Sequence, residues 1–235
     1  MKAAAIIVGA GRGVRMGGEI DKIFLEVDGA PLIVHTWRRF QSLPFISKIV
    51  LVVRPGVEKE FYSLATEYGL EQKPFSLVAG GAERQDSVWN GLLAVKEEGY
   101  DLVAIQDAAR PCTPLAAIEK AFQTAAQYGA AVLAQRVTDT IKESCDGQMV
   151  DRTLDRSLLW AVQTPQVFQT KVIYKAIAAA IQRGEKLTDD TAACEMIGQK
   201  VYLVESTRPN PKATNPDDLP YIEMLLRKER MQSLK

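Results

Sequence analysis

The sequence predicts an α/β sandwich built on a mainly parallel sheet, with one protruding β-hairpin arm. Three observations point that way. Short apolar runs recur along the 235 residues with helical patterns between them, the alternation expected of a parallel sheet covered by helices. The first run, "KAAAIIV" (2–8), breaks into the glycine-rich turn "GAGRGVRMGG" (9–18). The polar, β-compatible stretch 137–160 interrupts the alternation and carries Asp146-Gly147 at its centre, a hairpin turn signal.

The remaining runs place strands at 48–53, 75–79, 102–106, 130–134 and 200–204. Helical patterns fall at 31–40, which opens on a proline suited to a first turn, then at 57–68, 85–98, 114–128, 171–183 and 216–227, the last with Asn215 as its expected cap. No repeat or low-complexity linker divides the chain. One domain spanning 1–235 is expected, with the arm at about 137–160 reaching a second copy of the chain.

Composition narrows the function classes. Apolar residues make up 47% and charged residues 25%, enough for a sizeable core in a globular protein. Lys plus Arg equals Asp plus Glu, so no global basic field is available for nucleic acid or a membrane surface. The apolar start is too short for a signal segment, and no run has membrane-spanning length. The three cysteines, Cys112, Cys145 and Cys194, lack metal-ligand spacing. So sparse a set fits a reducing compartment, and a cytoplasmic location is expected (or a plastid stroma, after precursor processing).

The first glycine turn matches neither common phosphate motif. The dinucleotide spacing from Gly9 meets Val14, and from Gly11 meets Met16; the Walker spacing from Gly13 to Gly18 is followed by Glu19-Ile20. What remains is a glycine cradle with Arg15 and then Lys22. Backbone N–H groups in such a turn hold phosphate. Fixed cations also stabilise charge that builds during transfer. Other predicted strand ends carry similar chemistry: "GGAERQDS" (80–87), "QDAARP" (106–111), and "PKAT" (211–214) before the last helix. Ligands of open α/β sheets gather at such carboxyl ends.

Taken together, "GAGRGVRM…DKIFL", "GGAERQDSVWNGL", "QDAARP", "VTDTIK", "TLDRSLLW", "QTPQ", "LTDD" and "PKATNPDDL" resemble the 2-C-methyl-D-erythritol 4-phosphate cytidylyltransferase family from residue 3 to about 225. The resemblance implies a Rossmann-like nucleotidyltransferase sandwich and a homodimer joined through the β-arm. It implies transfer of the cytidylyl group of CTP to methylerythritol phosphate, with Mg²⁺, in non-mevalonate isoprenoid precursor synthesis. Gly9, Ala10, Gly11 and Gly13 would wrap CTP. Arg15 and Lys22 would hold its triphosphate. Gly81, Ala82, Arg84, Ser87 and Ala108 would complete the nucleotide site. Asp107 would lie between nucleotide, metal and sugar phosphate. Arg110, Thr140, Arg156, Thr164, Thr188 and Lys212 would surround the acceptor. Arg15, Lys22, Arg156 and Lys212 would carry catalysis, with Thr140 and Arg156 serving the neighbouring subunit's site. The sequence departs from the family pattern at Val8-Gly9, at Asp21 and Ile23 around Lys22, and at Gln106, where histidine is usual.

This chemistry also stands on the residues alone. The sole histidine, His35, lies inside a helical pattern away from every strand end, and Cys112 has no histidine partner. A phosphate-monoester oxygen, with a second pKa of about 6, needs no general base near neutral pH. It needs in-line placement and relief of anion repulsion, which Arg, Lys and Mg²⁺ provide. Three rivals share parts of the pattern: a cytidylyltransferase for ribitol 5-phosphate or another polyol phosphate, a non-catalytic nucleotide-binding regulator, and a dehydrogenase, which the failed glycine spacing disfavours.

Overall fold

The structure, a computed structural model, describes residues 2–11 and 21–233. Seven strands form the central sheet: β1 (Ala3–Val8), β4 (Ile46–Val53), β5 (Phe75–Ala79), β6 (Leu102–Asp107), β7 (Ala130–Arg136), β10 (Trp160–Gln169) and β11 (Tyr202–Glu205). Their order is β11-β7-β10-β6-β1-β4-β5. Six run the same way; β10 alone is antiparallel to both neighbours, β6 and β7. Two minor ribbons complete the β-structure: β2 (Glu26–Val27) with β3 (Ala30–Pro31), and β8 (Lys142–Glu143) with β9 (Arg152–Thr153).

Helices α1 (Leu32–Gln41), α2 (Glu58–Glu67), α3 (Arg84–Lys96), α4 (Leu115–Tyr128), α5 (Thr170–Arg183), α6 (Asp190–Met196) and α7 (Asp218–Ser233) surround the sheet. Alternate residues of β1 face opposite layers, as the period of a strand requires. Ala3, Ala5 and Ile7 join the core containing Trp37, Phe40, Phe61 and Phe122. Ala4 and Ile6 join the one containing Val88, Leu92, Ile173 and Ile177. Burial on both faces explains why β1 reads as an unbroken apolar run.

Close helix–sheet approach fixes one glycine. A Cβ on Gly91 of α3 would stand 2.6 Å from Ile6 Cγ2 and 3.0 Å from Val52 Cγ2. Gly91→Ala is therefore expected to destabilise the fold by about 1–3 kcal/mol through overpacking, although alanine is the better helix former by about 1 kcal/mol. Denaturant unfolding checks the sign; a more stable variant would mean that the layer yields.

Three sequence expectations change. Strand β10 was not expected: "WAVQTPQVFQ" is half polar and has a central proline, which argues against an interior strand. The ladder to β7 does break there, between Val162 and Gln166, and the strand resumes with Val167 and Phe168 fully buried. Helix α6 was not among the expected helices. The final helix starts later and runs longer than 216–227. In its first turn Asp218 Oδ2 accepts from Thr214 N at 2.7 Å and Asn215 N at 2.8 Å, tying the helix to the segment before it.

The arm leaves the sheet between β7 and β10. Its tip is wider than a two-residue turn: Asp146 Oδ1 accepts from Gln148 N at 2.8 Å and Met149 N at 2.9 Å, and Gly147 takes a φ of +71°. Met149, Val150 and Leu158 are exposed on it. Among the described residues, no helix is long and apolar enough to cross a membrane.

Candidate active site

A cleft of about 520 Å³ opens at the carboxyl ends of the parallel strands. The turn after β1 forms one wall. Gly9 N donates to Val52 O at 2.8 Å, holding the chain low over the sheet. A Cβ at residue 9 would stand 3.1 Å from Ile23 Cδ1 and 3.2 Å from Ala108 Cβ. Gly9 and Ile23, two of the departures from the family pattern, are thus packed against each other. Gly80, after β5, meets the same turn: a Cβ there would lie 2.2 Å from Ala10 Cβ.

Local structure shapes the opposite wall. Gly81 N donates to Ser87 Oγ at 3.0 Å, and Ser87 Oγ donates to Glu83 O at 3.2 Å. Glu83 and Asp86 make a capping box at the start of α3, satisfying N–H groups that the helix leaves open. Arg84 opens this helix and lines the cleft.

At the centre stands Asp107, the last residue of β6 and buried. Three cations from distant parts of the chain surround its carboxylate. Lys212 Nζ is 2.7 Å from Oδ2, Arg110 Nε is 3.6 Å from Oδ2, and Arg84 Nε is 3.6 Å from Oδ1. Burial alone would raise the Asp107 pKa; Lys212 and Arg84 outweigh it and hold the carboxyl below its usual range. Burial also opposes the charge on Arg84, but Asp190 more than offsets this, and the guanidinium stays charged. The cluster is an electropositive centre with one fixed anion inside it.

Lys22 begins a short 3₁₀ turn, Lys22–Phe24. Its Nζ donates to Ala213 O at 3.0 Å, beside Lys212. The neighbouring departures anchor this turn. Ile23 is buried, and Asp21 accepts from Ile23 N and faces Arg54 Nη2 at 3.8 Å. Gln106, in place of the usual histidine, is fully buried and donates to Thr113 Oγ1 at 3.2 Å. It braces the turn beneath Asp107 and Arg110.

The structure therefore brings together Gly9, Ala10, Gly11, Lys22, Gly81, Ala82, Arg84, Ser87, Asp107, Ala108 and Lys212 along one cleft. Arg110 joins through Asp107, and its Nη1 donates to Asn210 O at 2.7 Å. Thr164 lies behind the site, accepting from Asp107 N at 3.0 Å through Oγ1. Thr140 and Arg156 are not brought to this cleft; Arg156 is exposed on the arm and donates to Thr138 O at 2.6 Å. Thr188 also lies off the cleft lining, two residues before α6. Gly13 and Arg15 fall outside the described residues.

Two features of the site and its support were missed. Arg54 and Pro55 follow β4 and line the cleft; the signal was their position at a parallel strand's carboxyl end. Asp190, the buried partner of Arg84, gave no signal beyond its place in "LTDD". His35 and Cys112 are structural. His35 Nε2–H donates to Val27 O at 2.8 Å. Cys112 packs under α7, and burial pushes its thiol up to about 12, which removes it as a nucleophile.

Among the described residues, no group of three or more His, Cys, Asp or Glu could hold a metal. A single buried carboxylate at the centre of the cleft suits Mg²⁺ carried largely by substrate phosphates and water. Asp107 is the residue that would hold such an ion.

Residues 3–228 match the family model described as "IspD: 2-C-methyl-D-erythritol 4-phosphate cytidylyltransferase". The chain is 44% identical over 226 residues to the protein of that name from Geobacillus kaustophilus, covering 96% of this chain and 97% of the relative. It is 39% identical to the counterpart from Caldanaerobacter subterraneus over 97% of this chain and all of that one. Two crystal structures share the architecture. One is 4-diphosphocytidyl-2C-methyl-D-erythritol synthase from Anaerococcus prevotii, with a TM-score of 0.84, 28% identity and 96% of both chains covered. The other is 2-C-methyl-D-erythritol 4-phosphate cytidylyltransferase from Thermus thermophilus, with a TM-score of 0.79, 30% identity and 97% of this chain and all of that one covered. Whole-length similarity of this size, on the same mixed sheet, places the chain in the 2-C-methyl-D-erythritol 4-phosphate cytidylyltransferase family.

Proposed function

We propose that the chain transfers the cytidylyl group of CTP to 2-C-methyl-D-erythritol 4-phosphate. An oxygen of the acceptor phosphate attacks the α-phosphorus of CTP. The bond from that phosphorus to the oxygen bridging to the β-phosphate breaks, and the products are CDP-methylerythritol and pyrophosphate. The observation that carries this reading is the convergence of Lys212, Arg84 and Arg110 on Asp107, beside a glycine turn and Lys22. Two mutually repelling anions can meet there because fixed cations offset their charge.

The residues divide the work. The turn at Gly9–Gly11 wraps the triphosphate, with the N–H groups of Ala10 and Gly11 towards it and Lys22 and Arg15 as its cations. The loop from Gly81 to Ser87 cradles the nucleoside, while Arg84 and Ala108 border it. Arg110 and Lys212 face the acceptor phosphate from beyond Asp107, with Thr164 and Thr188 towards the polyol. Asp107 would hold Mg²⁺, which would supply charge neutralisation to the substrate phosphates. The arm joins two copies in a homodimer, and Thr140 and Arg156 serve the partner's cleft. The setting is the cytoplasm.

Pyrophosphate release tests the proposal directly. Purified protein is incubated with methylerythritol phosphate and each of CTP, ATP, GTP and UTP. Release with CTP well above the other three is expected. Turnover with ribitol 5-phosphate and none with methylerythritol phosphate would overturn the acceptor. Tight CTP binding without release from any acceptor would make the chain a nucleotide-binding regulator.

A further inference from the structure

We propose that Asp190 is a positioning residue for the nucleotide: it holds Arg84 in place from behind the cleft and keeps it from collapsing onto Asp107. The inference rests on reading the cleft as a nucleotide site. Asp190 grips Arg84 through two hydrogen bonds, Nη1 to Oδ1 at 2.9 Å and Nη2 to Oδ2 at 2.8 Å. Its side chain is 1% exposed, whereas that of Arg84 is 33% exposed. Arg84 lines the cleft; Asp190 does not.

The pair belongs to a closed circuit. Asp190 N donates to Gln166 Oε1 at 3.0 Å, and Gln166 Nε2 donates to Asp189 Oδ2 at 2.8 Å. Two residues earlier on β10, Thr164 accepts from Asp107 N. Asp107 in turn faces Arg84 Nε at 3.6 Å. A second strap runs beside it: Leu187 N donates to Gln85 Oε1 at 2.9 Å, and Gln85 Nε2 donates to Glu185 O at 3.2 Å. The start of α3 is thus tied to 185–191 and, through β10, to Asp107.

Stability alone does not account for such a pair. Burying two charges costs about as much as their attraction returns, and apolar replacements of similar volume are often neutral or stabilising. What the bidentate fork does provide is geometry, because a free arginine has many rotamers and a planar fork has one docking mode. Asp107 competes for the same guanidinium. Without Asp190, Arg84 is drawn to Asp107, where it neutralises the carboxylate and displaces Lys212.

Asp190→Asn keeps size and removes the charge. CTP affinity by calorimetry is expected to fall roughly 10- to 100-fold, the scale of a misplaced contact, with the KM for CTP rising in parallel and kcat changing less. Asp190→Glu, which retains a carboxylate, is expected to recover part of the loss. In a cycle with Arg84→Met, Asp190→Asn is expected to add no further loss once Arg84 is gone. The pair Arg84→Met/Asp190→Leu controls for folding: it is expected to melt at or above the wild-type temperature and still bind CTP weakly. Wild-type CTP affinity in Asp190→Asn, or losses that simply add across the cycle, would overturn the inference. Wild type that binds CTP but does not use methylerythritol phosphate sinks the acceptor assignment and leaves this inference standing. Wild type that binds no CTP sinks both.

Discussion

Lys22→Ala is expected to lower turnover by about 100-fold or more, the loss typical when a fixed electrostatic contact to a transition state is removed. Lys22 Nζ is held at Ala213 O at 3.0 Å, so the ammonium stands next to Lys212 at the cleft wall. The turn that carries it is anchored by Ile23 beneath and by the Asp21 cap. Deleting one partly buried hydrogen bond costs on the order of 1 kcal/mol, too little to unfold a chain with a double-sided core. The predicted signature is a large fall in kcat with unchanged circular dichroism and a melting temperature shifted by only a few degrees. Lys22→Arg restores charge without the point geometry and is expected to rescue only partly. Activity within twofold of wild type in Lys22→Ala, or a loss matched by unfolding, would remove Lys22 from the chemistry.

Asp107→Asn is expected to damage both activity and stability, for one electrostatic reason. The carboxylate balances Lys212, Arg84 and Arg110. Arg84 keeps Asp190 as a partner, but Lys212 and the largely buried Arg110 lose their only ion-pair partner among the described residues. Removing one member of a buried charge cluster costs about 3 kcal/mol. Turnover is expected to fall by at least about 100-fold, because excess positive charge holds phosphates in the ground state without aligning them.

The pH dependence carries a sign that can be checked. The Asp107 pKa is lowered in the folded protein. Its stabilising contribution is therefore complete above the unfolded value of about 3.9. It is lost only as pH falls through the lower folded value. The stability gap between wild type and Asp107→Asn should be flat from pH 5 upward, about one unit above that unfolded value, and should close in stronger acid. A gap that closes near neutrality would mean that another group holds the cluster together. The acid limb of activity should lie near pH 6 in wild type, set by the second ionisation of the acceptor phosphate.

Much of this was legible in the chain. The inner parallel strands announced themselves as apolar runs because both faces of β1, β4, β6 and β7 are covered, and the glycine turns because the chain passes close to its neighbours at Gly9 and Gly80. Strand β10 was hidden for a specific reason: its polar side chains, Thr164 and Gln166, are buried but serve the site through hydrogen bonds, so no hydrophobic pattern marks them. Arg84, Asp107 and Lys212 were recognisable by type and by position at strand or helix ends. Their mutual arrangement was not.

Local physics explains the division. Strand period, helix caps and glycine's freedom act within a few residues, so the amino-acid order alone determined the mainly parallel sheet, the hairpin arm and the chemical inventory of cations around a cradle. Electrostatic partnership acts across space between residues far apart in the chain; Arg84 and Asp190 are separated by 106 positions. Only the folded chain decided which three cations share Asp107, which carboxylate steadies Arg84, and that β10 enters between β6 and β7 to carry both connections. Those choices depend on distances of a few ångströms that packing alone sets.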